Sequence, residues 1–224
     1  MGKIDEFEEK IIKQGMSDED FEEYKKLLKR VRGNFGKRQH CYITAIQFPT
    51  KNATQAIKLI EYGLETFPDE WFSTYTSYLY IGKIYESSRK YQKAYDAYLM
   101  AWNALGEMGK GYKEELSGDL CWMRLHIDSF QYSEELEELY SYYKETNEFS
   151  KGFVNSEFRR ALAQIVIALH HNQIDIAKSA YKQVTTIYSP SYVGKLHNIL
   201  SRHNYKETLK ITPEAKKFLS ELKI

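Results

Sequence analysis

The residues able to do chemistry are few and poorly grouped. The histidines are His40, His126, His170, His171, His197 and His203. His170 and His171 are adjacent, so on a helix their side chains diverge by about 100° and do not chelate one ion together. His197 and His203 are six residues apart, neither the i,i+4 spacing of a helical metal pair nor a zinc-finger spacing. Cys41 and Cys121 each lack a neighbouring motif and are too sparse for a disulfide framework, so the sequence predicts buried free thiols rather than nucleophiles. Gly106, Gly109 and Gly111 resemble a phosphate loop in composition only. Lys110 is followed by glycine instead of Ser or Thr, and no glycine stands five residues before Gly109. The sequence therefore predicts no catalytic residue, no metal site and no cofactor, and reads as a protein that is not an enzyme.

Two charge runs remain. Glu134, Glu135, Glu137 and Glu138 read as the solvated front of a helix. Lys25, Lys26, Lys29, Arg30, Arg32, Lys37 and Arg38, with Tyr24 and Phe35 beside them, hint at phosphate contacts, which need cations clustered on one face. Lys25, Lys29 and Arg32 share a face, but Glu22 and Glu23 lie one turn away and blunt the potential. A helical nucleic-acid binder using Lys25–Arg38 is the alternative reading, and nucleic acid is not the expected partner. The overall balance agrees: 32 Lys and Arg against 31 Asp and Glu leave +1, with no global reason to seek a polyanion.

The elements that must position these residues are helices. No apolar run approaches the roughly 20 residues of a membrane helix. The charged start is unlike a signal peptide, so neither membrane insertion nor export by that route is expected. Ile4, Phe7, Ile11 and Ile12 lie along one helical face of residues 3–14. Gly15 ends that helix. Ser17 then stands as N-cap to a second one, with Asp20 three residues on and Asp18 and Glu19 suited to the positive end of its dipole. Beyond residue 37 the spacing predicts helix pairs at 39–48 with 53–66, 69–86 with 91–104, 115–130 with 133–146, and 157–171 with 175–188. Shorter helices are expected at 193–202 and 213–222, the last opened by Thr212 and Pro213.

The pair at 69–104 resembles the tetratricopeptide repeat. It reads Tyr78, Ile81, Gly82, Tyr85, Tyr91, Ala94, Tyr98 and Ala101, and each interval matches that family's pattern, with Gly106 where its proline usually stands. The preceding pair keeps Ile43, Ala56, Ile60, Gly63 and Pro68, with Gln47 in place of the tyrosine. The fourth keeps Ala177, Tyr181 and Val184, with Asn172 at the turn. The third keeps only Leu136, Tyr140 and Tyr143. The alanine-type positions 56, 94, 136 and 177 are 38, 42 and 41 apart, longer than the family's period of about 34. Small residues are expected where helices come closest, Gly82 against Ala94 above all, because a larger side chain there costs roughly 1–3 kcal/mol. Most of the 19 tyrosines then fill wedges between helices, where an apolar body with a polar tip is useful.

The resemblance implies an all-α fold, a right-handed superhelix of about four antiparallel helix pairs. It implies one solenoid domain over 1–224, with an N-terminal helical cap at 1–36, repeats at 37–190 and C-terminal capping helices at 191–224. It also implies a concave surface, lined by the first helix of each pair, that holds a protein or peptide. By offset that lining is Arg38, Cys41, Ala45 and Phe48, then Thr76, Leu79, Lys83, Glu86 and Ser87. In the fourth pair it is Arg159, Leu162, Val166, Leu169 and His170. Members that clamp a terminal carboxylate use lysines and asparagines here, and only Lys83 is suitable. The expected function is a cytoplasmic, non-enzymatic protein- or peptide-binding module. The richness in Lys, Ile, Tyr and Asn suggests a low-GC bacterium, where small repeat proteins include peptide-sensing regulators and immunity proteins.

Overall fold

A computed structural model describes residues 2–48, 52–68, 71–106, 109–144 and 154–187, together with Gly194, Pro213 and Lys217. The helices expected at 193–202 and 213–222, and Tyr188, Tyr192, His197 and His203, otherwise lie outside the described residues. The described residues form ten helices packed in neighbouring pairs, with no strand among them. The chain divides into two compact units, Met1–Gly109 and Lys110–Ile224.

The first unit holds α1 (Lys3–Gln14), α2 (Asp18–Leu28), α3 (Asn34–Ile46), α4 (Ala53–Thr66), α5 (Trp71–Ser87) and α6 (Tyr91–Ala104). Ser17 caps α2 as its spacing predicts: Asp20 N–H donates to Ser17 Oγ and Ser17 N–H to Asp20 Oδ2, both at 3.1 Å. Gly15, at φ 92°, turns the chain between α1 and α2. α3 begins five residues before the expected start. The break falls at Gly33, which holds φ 70°, while Gly36 lies inside the helix.

Packing follows a rule within this unit. α1, α3 and α5, the first helices of their pairs, touch in succession, and α4 also touches α5. A continuous core results, in which Ile11, Phe21, Tyr24 and Leu28 of α1 and α2 meet Cys41, Tyr42, Leu59 and Ile60 of α3 and α4. The aromatic wedges are visible: Phe7 stacks on Tyr24 and Tyr42 on Tyr80 at 6.2 and 5.9 Å between centroids.

The second unit holds α7 (Lys110–Ile127), α8 (Glu134–Lys144), α9 (Val154–His170) and α10 (Ile174–Ile187). It repeats the rule: α7 pairs with α8, α9 with α10, and α9 also touches both helices of the pair before it. Leu116, Leu120, Cys121, Leu136, Leu162 and Val166 are among its buried residues.

One turn recurs in both units. Lys90 N–H donates to Tyr85 O, Phe130 N–H to Leu125 O and Gln173 N–H to Ala168 O, at 2.9, 2.6 and 2.7 Å. The residue before each donor, Arg89, Ser129 or Asn172, is left-handed at φ 56°, 53° and 56° and donates to the carbonyl three residues back. This double closure satisfies late carbonyls of α5, α7 and α9; the next helix starts at once after Lys90 and Gln173, and after three further residues beyond Phe130, itself at φ 61°.

Candidate functional site

α5 carries apolar side chains on all its sides, and one of them opens to solvent. Tyr78, Ile81 and Tyr85, spaced three and four residues apart, form the floor of a groove of about 390 Å³. α4 supplies Glu61, Leu64 and Glu65 to one wall, and α6 supplies Lys93, Asp96, Ala97 and Met100 to the other. The size is at the lower end of ligand pockets, roughly 300–1,000 Å³. Met100, 48% exposed, adds apolar surface at the groove's edge.

The rim is acidic. Burial raises the Glu61 carboxyl above its ordinary value, with the Glu65 charge adding to it. Burial also raises the Tyr85 hydroxyl, helped by Glu61. Gln92 Nε2 donates to Asp96 Oδ1 at 2.9 Å. Lys93 Nζ sits 5.7 Å from the centre of the Tyr85 ring, a cation over an aromatic face. Nucleophile and base are not paired in this groove. It offers apolar surface below and charged groups above.

The residues predicted by offset fall into two groups. Thr76, Leu79, Lys83 and Glu86 lie at least partly exposed on other sides of α5; Lys83 Nζ lies over the Tyr80 ring, and Glu86 accepts from Tyr98 Oη at 2.7 Å. Ser87 is exposed and donates to Ile84 O. Arg159 pairs with Asp119 and lies over the Trp122 ring, and His170 stacks on Tyr132 at 3.6 Å. Arg38, Cys41, Ala45 and Phe48 are buried, as are Leu162, Val166 and Leu169. These seven cannot line a surface. In α3 the expected lining face is enclosed by its neighbours: Arg38 reaches α4 and α5, Cys41 lies against Gly63 of α4, and Cys41, Ala45 and Phe48 share one core with residues of α1 and α2. In α9 the face is enclosed by α7, α8 and α10.

Arg38 is the instructive case. Its guanidinium donates to Ser73 Oγ at 2.9 Å, Thr74 Oγ1 at 2.7 Å and Leu64 O at 3.4 Å, so a charge that reads as surface ties α3 to α4 and α5 from inside. The basic stretch is thereby divided. Lys25 pairs with Glu22 and lies over the Phe21 and Tyr62 rings, Lys26 pairs with Glu23, and Lys37 lies over the Phe67 ring. Lys29, Arg30 and Arg32 are exposed, but α2 ends at Leu28, so Arg32 is not carried on its face.

Both cysteines are buried free thiols, and burial pushes each up to about 12. His171 Nε2 lies 2.9 Å from Glu137 Oε2, to which Tyr132 Oη also donates.

Sequence reasoning misses one cluster, Asp5, Glu8 and His40, whose donor atoms lie within 4.8 Å of one another. Residues 32 positions apart give no local signal of such a meeting. Glu8 Oε1 accepts from Tyr24 Oη at 2.5 Å and lies 2.8 Å from His40 Nδ1, while Asp5 Oδ2 accepts from Gly2 N–H. The hydrogen bond to Glu8 raises the His40 pKa against the opposing effect of burial. The cluster ties α1 to α2 and α3.

Compared with protein-family models, curated proteins and solved structures, the chain finds no match.

Proposed function

We propose that this chain is a non-enzymatic protein- or peptide-binding module of tetratricopeptide-like design, and that the α4–α5–α6 groove is where it binds. The single observation that carries the reading is an apolar floor two helical turns long, left open between three helices, with Met100 exposed at its edge. Two features support the family likeness. The hairpin closure recurs three times, and in each unit the first helix of a later pair leans on the first helix of the pair before it. A cytoplasmic, bacterial protein that regulates or blocks one partner accords with this design and with two unlinked thiols.

The seat of binding differs from the one expected by offset. It uses positions 78, 81 and 85 of α5, not 76, 79, 83 and 86, because the former lie between α4 and α6 and leave a trough. Selection of binders from a random peptide library against the full chain tests the reading. The selected peptides should bind the parent chain and bind Met100→Ser several-fold more weakly, with the melting temperature unchanged. Binders that all ignore Met100→Ser would overturn it.

A further inference from the structure

We infer that the occupant of the α4–α5–α6 groove is a short amphipathic helix whose apolar face is flanked by lysines or arginines. The inference rests on the groove being the binding site and goes further by naming the chemistry of the partner.

Shape gives the first half. The floor residues run from Tyr78 through Ile81 to Tyr85, seven steps along α5, about 10 Å along the axis at about 1.5 Å per residue. A helix presenting apolar residues at i, i+3, i+4 and i+7 offers the same length of contact, and laying such a face into a trough is a standard mode of peptide recognition. An added strand would need a sheet edge to pair with, and there is no strand among the described residues.

Charge gives the second half. Three carboxylates, Glu61, Glu65 and Asp96, border the groove against one ammonium, Lys93. Glu61 and Glu65 are one turn apart on α4, and neither forms an ion pair among the described residues. By contrast Asp18, Asp20, Glu22 and Glu23 on the same unit each have a lysine. Like charges one turn apart on a helix repel; the Glu61 carboxyl is raised first by partial burial and then by the Glu65 charge. A cation brought in on the flank of a bound helix relieves that repulsion. An anionic flank would add to it, so the rim also excludes wrong partners.

The test uses three synthetic peptides of about 14 residues that share leucines at i, i+3, i+4 and i+7 and differ only in flanks of Lys, Gln or Glu. Binding to the full chain is read by fluorescence anisotropy at about 50 and about 300 mM salt. The Lys peptide should bind at least about tenfold tighter than the Gln peptide at low salt, and the Glu peptide weakest. The gap between Lys and Gln peptides should shrink at high salt. It should close in the Glu61→Gln/Glu65→Gln variant. Equal affinities for Lys and Glu peptides, or an undiminished Lys preference in the double variant, overturn the partner chemistry alone. Failure of all three to bind overturns the groove as a peptide site, and this inference with it.

Discussion

Gly82 on α5 faces the ring of Tyr98 on α6, and the three atoms nearest to where its Cβ would stand all belong to that ring. The fully buried Tyr98 has its hydroxyl anchored on Glu86, one turn along α5, so the ring cannot simply swing away. The sequence predicts a tight crossing at Gly82, and there is one, filled on this side by the Tyr98 ring. Gly63 plays the same part between α4 and α3, with Cys41 Cβ 2.9 Å from its Cβ position.

Gly82→Leu should therefore destabilise the first unit by about 1–2 kcal/mol net, the overpacking cost exceeding the helix propensity gained. Urea unfolding followed by circular dichroism measures it. Tyr98→Leu in the same chain should recover part of the loss, and an unchanged midpoint in the single variant contradicts the account.

The left-handed turn residues give a change of the opposite sign. Ser129 holds φ 53° at an exposed position, a conformation costing roughly 1–2 kcal/mol for a residue with a side chain. Ser129→Gly removes that strain and adds some freedom to the unfolded chain, for a net gain of about 0.5–1 kcal/mol. A thermal melt should move upward by a few degrees; a downward shift would contradict the turn geometry.

The Glu8–His40 contact makes stability depend on pH. His40 is raised in the folded state, first by its hydrogen bond to Glu8, so the folded pKa lies above the ordinary value of about 6.5. The contribution is fully present below that unfolded value and is lost as pH rises through the folded one. Denaturant midpoints taken across this window should fall with pH, and the fall attributable to His40 should vanish in His40→Gln. A slope identical in parent and variant would remove this contact as its source.

Cys41 and Cys121 should be inert. Both are free and buried, with thiols pushed up to about 12, so little thiolate exists at neutral pH. A thiol-reactive dye at pH 8 should label neither in the native chain and both after denaturation. Rapid labelling of native protein would show that one is accessible.

Helix pairing is legible in the sequence because the apolar spacing, Pro68, Gly82 and Asn172 are local signals. The site is not, for two physical reasons. α5 is apolar around its circumference, with Tyr75, Tyr78, Ile81, Ile84 and Tyr85 pointing several ways, so periodicity cannot say which side is left uncovered. Arg38 carries the commonest mark of a surface residue, yet its partners Ser73, Thr74 and Leu64 arrive from 26 to 36 residues away. Without their positions, nothing distinguishes a buried guanidinium from a solvated one. His40 hides in the same way, its partner lying on a helix 32 residues upstream.

The rule by which a later pair leans on the pair just before it has a kinetic meaning. Within each unit most partners are near in sequence, so each docking step closes only a short loop and little chain entropy is spent before contacts repay it. Such a topology folds on the microsecond-to-millisecond scale of helical bundles and can grow hairpin by hairpin as the nascent chain emerges from the ribosome.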